Sequence, residues 1–99
     1  MESHLDKAER KRLRKLGQAL KSVVLIGKNG VNKALLSEIQ SVLTAHELVK
    51  AKVLPANGLS TEECATLVSM KLGAELVETR GRTFLLYKEN PDKSEHVLD

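Results

Sequence analysis

The residues of this 99-residue chain best suited to chemistry are Gly27-Lys28-Asn29-Gly30, with Asn32 and Lys33 just beyond them. The two glycines carry no Cβ and tolerate positive φ, so another backbone can approach the turn they frame. Asn29 also tolerates the left-handed region, and Asn32 suits the N-cap of a following helix. Such a turn aims free N–H groups and the positive end of a helix dipole at one point in solvent, with Lys28 and Lys33 beside it. That is an anion site in outline, and a phosphate backbone is the anion it fits. The motif alone is weak, because many strand-to-helix turns hold two glycines simply to reverse direction. It is not a Walker A loop: the spacing is too short and no Gly-Lys-Ser/Thr follows.

The turn needs a strand before it and a helix after it. Val23–Ile26 is an uninterrupted apolar run that suits a buried strand, expected to lie centrally and covered on both faces. Leu35, Leu36, Ile39, Val42 and Leu43 recur at the spacing of an amphipathic helix, with His46 at its end. Upstream, Leu5–Leu20 reads as a helix, with Ser3 or His4 near its start and Gly17 weakening its last turn. Leu13, Leu16 and Leu20 form its apolar stripe. Lys7, Arg10, Lys11, Arg14 and Lys15 fall on the opposite side and Arg12 flanks them, against only Asp6 and Glu9. Like charges on one helix face cost a few tenths of a kcal/mol per pair, and a partner's negative charge would remove that cost.

Downstream, Glu47–Leu54 alternates Val49, Ala51 and Val53 with Lys50 and Lys52, the pattern of a half-buried strand with a basic outer face. Pro55-Ala56-Asn57-Gly58 breaks it. Ser60 and Glu63 form a capping box for a helix whose buried stripe is Cys64, Leu67, Val68 and Leu72, and Gly73 stops it. Ala74–Thr79 and Thr83–Lys88 make a hairpin about Arg80-Gly81-Arg82, which adds two further cations. The expected order is α-β-α-β-α-β-β, an α/β (α+β) fold with a four-stranded mixed sheet packed with helices and its last two strands antiparallel. Residues 1–89 read as one domain and 90–99 as a flexible tail.

Charge is unevenly placed. Residues 1–33 hold nine Lys or Arg against three acids, a net +6, and residues 34–99 hold seven against ten, a net −3. A basic end on a nearly neutral body reads as a docking face for a polyanion. The single cysteine, Cys64, offers neither a disulfide framework nor a cysteine metal cluster and reads as a small buried hydrophobe. No apolar run precedes Val23, so neither a signal peptide nor a membrane anchor is expected, and a cytoplasmic protein is the natural inference. His4, His46 and His96 are scattered without metal-site spacing, and Ser22, Ser37 and Ser69 lack a nucleophile elbow. No enzyme, cofactor or metal is expected.

Three separated segments carry a resemblance. VVLIGKNGVNKALLSEI, then HELVKAKV, then GRTFLLYK, together spanning about residues 5–89 with their surroundings, resemble the CRM domain (chloroplast RNA splicing and ribosome maturation) in its bacterial single-domain YhbY-type form. The resemblance implies a fold similar to the C-terminal domain of translation initiation factor three. It implies a KH-like G-x-x-G loop, here Gly27–Gly30, that contacts RNA, and an association with large-subunit ribosomal precursors. The last strand ends Leu86-Tyr87-Lys88 where the family usually has Leu-Tyr-Arg, which keeps the charge and loses the bidentate fork. Phe84 reads as core and Tyr87 as core with a wet hydroxyl, so recognition rests on phosphates and shape rather than base stacking.

The expected function is therefore an RNA-binding protein, monomeric, working on large-subunit ribosomal RNA precursor within a pre-ribosomal particle. Its expected contacts are Gly27, Lys28, Asn29, Gly30 and Lys33 in the loop, Lys7, Arg10, Lys11, Arg14 and Lys15 on the first helix, and Lys50, Lys52, Arg80 and Arg82 on the sheet. The rival is an adaptor whose basic helix docks on an acidic ribosomal or assembly protein. DNA binding comes third, since phosphate contacts alone do not distinguish the two nucleic acids.

Overall fold

The alternation in β2, Leu48–Val53, divides the molecule into layers. Val49, Ala51 and Val53 face two helices on one side of the sheet, while Leu48 and Lys50 face a single helix on the other. The computed structural model describes residues 5–99. In chain order these form α1 (Lys7–Ala19), β1 (Val24–Ile26), α2 (Lys33–His46), β2, a short 3₁₀ turn (Pro55–Asn57), α3 (Thr61–Leu72), β3 (Glu75–Arg80) and β4 (Thr83–Tyr87). This is the expected order and the expected four-stranded mixed sheet. Ser3 and His4 lie outside the described residues, and α1 is instead capped by Asp6, whose side chain accepts from Glu9 N while Glu9 reaches back to Asp6 N. The two acids read from sequence as a weak offset to the cations thus close a capping box, which contributes about 1 kcal/mol.

The strand order is β1-β2-β4-β3, with β1 parallel to β2 and both pairs involving β4 antiparallel. This corrects one expectation: β1 is an edge strand, not a central one. Val24 and Ile26 are buried among α2 and α3, but Val23 is 61% and Leu25 56% exposed on the opposite face. An unbroken apolar run signals double-sided burial, yet α1 packs against β2, β3 and β4 and leaves the outer face of β1 exposed. The larger core joins Ile39 and Leu43 of α2 and Cys64, Ala65 and Val68 of α3 to Phe84 and Leu86 of β4. The smaller one gathers Leu13 of α1 with Leu48, Val77, Leu85 and Tyr87. Burial, with Glu47 and other carboxylates nearby, pushes the Tyr87 phenol up to about 12.

Gly17 is buried where α1 crosses the sheet, and a Cβ there would stand 2.5 Å from Leu85 Cδ2. The residue that weakens the helix is the one that lets it sit down. Two cations fasten it. Arg10 donates to Leu76 O at 2.9 Å and pairs with Glu75, and Lys50 donates to Gly17 O at 3.3 Å, satisfying a carbonyl of the last turn of α1.

Residues 90–99, read from sequence as a flexible tail, are laid against the molecule around Glu47. This residue ends α2 in the left-handed conformation at φ 63 and is fully buried. Its carboxylate accepts from Asn90 N at 2.7 Å and Val97 N at 2.8 Å, and His96 Nδ1 lies 2.7 Å away. Arg12 of α1 donates to backbone oxygens of Leu98 and Asp99. The pattern places Glu47 as the first strand residue, because the contacts that make it an anchor lie more than forty positions away.

Two outcomes test this packing. Gly17→Val should destabilise the fold by about 2–3 kcal/mol, because overpacking against buried Leu85 outweighs the helix propensity gained. A denaturant midpoint equal to that of the parent chain would show that α1 is not seated on the sheet as described. The second outcome concerns pH. Burial pushes the Glu47 carboxyl up, but hydrogen bonds from His96, Asn90 and Val97 more than reverse this and hold it below its ordinary 4.5. The hydrogen bond to Glu47 raises His96 above its ordinary 6.5. A depressed carboxyl contributes stability above its unfolded value and loses it as pH falls, and a raised imidazole contributes below its unfolded value and loses it as pH rises. The clamp is therefore complete between roughly pH 4.5 and 6.5. Exchange protection of the Asn90 and Val97 amides, corrected for intrinsic rates, should be highest there and decline toward pH 8. A flat profile would remove His96 from the clamp.

Candidate nucleic-acid interface

A parallel pair joined by a helix puts the helix N-terminus at the C-terminal end of the strands. Here Gly27–Gly30 follows β1 directly and α2 opens three residues later, at Lys33. The loop is a tight turn closed by Gly30 N donating to Gly27 O at 3.0 Å, and Gly30 takes φ +69. Gly27 does not adopt positive φ, contrary to what its type allowed, and a Cβ there would meet only Leu54 Cδ1 at 3.8 Å. Neither backbone angle nor crowding inside the chain demands glycine at 27. Its bare Cα leaves the outside of the turn open to close approach.

Lys28 and Asn29 at the tip are exposed, as is Lys33 in the first turn of α2. Asn32 caps that helix, its side chain accepting from Leu35 N at 2.9 Å. No acidic residue stands in the first turn of α2, so the helix dipole there is unopposed. The N-terminus of α3 lies at the same end of the sheet but carries Glu62 and Glu63. The two helix starts thus differ in sign, and only that of α2 favours an anion.

Sequence reasoning missed the residue that holds the loop. Asn57, in the 3₁₀ turn after β2, donates through Nδ2 to Gly27 O at 2.9 Å, while its Oδ1 accepts from Leu59 N at 3.1 Å. The only hint was the Pro-Ala-Asn-Gly break itself, which shows a turn and not its target. Cys64 is buried as expected, with Sγ 3.2 Å from that same Asn57 oxygen.

The hairpin turn reaches the same end of the sheet. Arg82 O accepts from Val53 N at 2.7 Å, and Gly81 O accepts from Thr61 Oγ1 at 2.9 Å, which ties the turn to β2 and to α3. Across the strands Leu25, Lys52, Thr83 and Arg80 stand in one register row. Lys52, Arg80 and Arg82 are exposed. The structure therefore brings Gly27, Lys28, Asn29, Gly30, Lys33, Lys52, Arg80 and Arg82 to one end of the molecule.

The remaining candidates are divided. Lys7, Lys11 and Lys15 are exposed on α1 and Arg14 is half-buried beside them, on the layer across the sheet from α2. Arg10 and Lys50, expected among the outward cations, are turned to fastening α1 to the sheet. Spacing alone assigns Arg10 to the solvent side, because it cannot show that β3 begins beneath it. Among the described residues no group of three His, Cys, Asp or Glu is placed to hold a metal ion, and no helix is long and apolar enough to cross a membrane.

Comparison with known proteins follows the same lines. The chain is 26% identical over 93 residues to a Pseudomonas aeruginosa protein named as a probable RNA-binding protein, an alignment covering 94% of this chain and 89% of that one. It is 31% identical over 80 residues to an RNA-binding protein of Haemophilus influenzae, covering 81% of each. To YqeI of Bacillus subtilis, named as a probable RNA-binding protein, it is 31% identical over 86 residues, covering 87% of this chain and 90% of the relative. The solution structure of a hypothetical Staphylococcus aureus protein superposes with a TM-score of 0.74 at 26% identity, covering 96% of this chain and 99% of that one. A family model, the CRS1 / YhbY (CRM) domain, matches residues 5–88, and the chain belongs to that family.

Proposed function

We propose that this protein binds RNA through its sugar–phosphate backbone, with the Gly27–Gly30 turn as the clamp and α1 as a second, electrostatic contact. The observation that carries the reading is the turn itself: an open two-glycine loop, tied down by Asn57 and placed at a helix start with Lys33 and no acid. A phosphate beside Lys28 would meet backbone N–H groups, the dipole of α2 and two ammonium groups together. Lys52, Arg80 and Arg82 extend the positive surface along the same end. Phe84 and Tyr87 are buried within the cores, which leaves no stacking platform of the kind that reads bases. Recognition by backbone and shape follows. The RNA-binding names of the relatives support the ligand class. Within that reading the substrate is large-subunit ribosomal RNA precursor in an assembling particle, met in the cytoplasm by a monomer.

Two measurements test the proposal. Changing Lys28 and Asn29 together to Asp places two negative charges where a phosphate would sit. Coulomb repulsion at about 4 Å in a surface dielectric near 20 is about 4 kcal/mol per charge before screening by salt. RNA affinity should drop at least tenfold while circular dichroism shows the parent fold, since the tip is exposed and acids near a helix start are tolerated. Unchanged affinity in the folded double variant would reduce Gly27–Gly30 to an ordinary turn. In a salt titration the affinity should fall with a log–log slope of about −3 to −5, as for roughly four to six neutralised phosphates. A flat response would leave the cations as a solvated face.

A further inference from the structure

At the other end of the sheet from the glycine turn, where β1 and β2 begin and α1 and α2 finish, lies an apolar groove of about 490 Å³. Its walls include Leu16, Leu20, Val23 and Val42. Leu16 and Leu20 are 38% and 39% exposed, and Val23 is 61% exposed. Leu25, on the same face of β1, continues the apolar surface along the strand. The groove exists because α1 stops short of β1, the feature that overturned the expectation of a central strand. Nothing in the RNA reading uses it, and an exposed aliphatic patch rimmed by polar groups marks a protein contact.

The rim supplies the sign of the occupant. Lys21, Lys50 and His46 line it and no aspartate or glutamate does. Asp92 and Glu95 lie beyond His46 in a neighbouring hollow, so the positive rim rests chiefly on Lys21, with the Lys50 ammonium beside it held by the carbonyls of Gly17 and Leu20. A second copy of this chain fits poorly, because a two-fold contact would join two lysine-rimmed grooves with no acid in either lining to offset them. RNA fits poorly too, because the groove walls are aliphatic and neither phenylalanine, tyrosine nor arginine lines them to stack a base.

We infer that this groove docks a helical segment of a protein partner, with two aliphatic side chains one turn apart as anchors and acidic residues flanking them. Docking here leaves the glycine turn free, so the chain can hold RNA at one end and a protein at the other.

The test uses the full chain and two synthetic helical peptides, each with leucines at i and i+4, one flanked by glutamates and the other by lysines. The glutamate peptide should shift the backbone amide signals of Leu16, Leu20, Val23 and Val42 and bind at least tenfold more tightly than the lysine peptide. Val23→Glu should weaken that binding at least tenfold and leave RNA affinity unchanged. Leu20→Glu serves as a second variant should the first lose its fold. The inference is overturned if the peptides bind equally or not at all, or if both folded variants bind normally. It is also overturned if RNA moves the same signals, or if sedimentation shows the groove filled by a second copy.

Discussion

The parallel pairing of β1 with β2 is the constraint on which the rest of the structure depends. Two neighbouring strands that run the same way need a crossover, and α2 is that crossover. Its return path fixes which end of the helix meets the end of β1. The glycine turn, the unopposed start of α2 and the cations of β2 and the hairpin then share one end of the molecule without further instruction. Asn57 adds the last restraint, because its bond to Gly27 O makes the loop part of the framework rather than a free tip. A loop held in place loses less freedom on binding than one that must be ordered by its ligand.

Docking α1 is the second problem the chain solves. A helix this basic would repel itself and has little apolar surface, so it is held by a few specific devices. Gly17 permits close approach, Arg10 meets a carbonyl and a carboxylate beneath the helix, Lys50 meets carbonyls at the helix end, and Arg12 meets backbone oxygens of residues 98 and 99. The buried Glu47 then gathers the segment after β4 over the same core. Burying a carboxylate is costly unless it is paired and hydrogen-bonded, and here it receives two backbone N–H groups and an imidazole. What remains outward on α1, chiefly Lys7, Lys11 and Lys15, is the part of its charge that the fold does not consume.

The molecule is thus polarised between its ends. The end that follows the parallel strands gathers glycines and cations, and the end that precedes them is aliphatic with a lysine rim. Membership of the CRM family and the RNA-binding names of its relatives agree with the character of the first end. The second end belongs to this chain's own geometry, since it arises where a short edge strand runs past the end of α1.

Local chemistry was legible from the residues alone. Ser60 with Glu63, Asn32 as a cap, Gly73 as a stop and the alternation of Val49, Ala51 and Val53 with outward Lys52 all act over two to four positions, and each stands in the structure as the pattern implies. The glycine turn was legible for the same reason, and so was the order of elements. What tertiary structure decided was every matter of distant partners. An apolar run says that a strand wants burial, but not whether helices cover both of its faces, so β1 emerged at the edge. Helical periodicity places Arg10 opposite Leu13 without showing the carbonyls of β3 beneath it. Glu47 and Asn57 are ordinary polar residues in sequence, and their roles come from groups dozens of positions away. Patterns within one turn of chain encode local structure, whereas the pairing of separate segments is set by which buried surfaces and polar groups meet when the layers close.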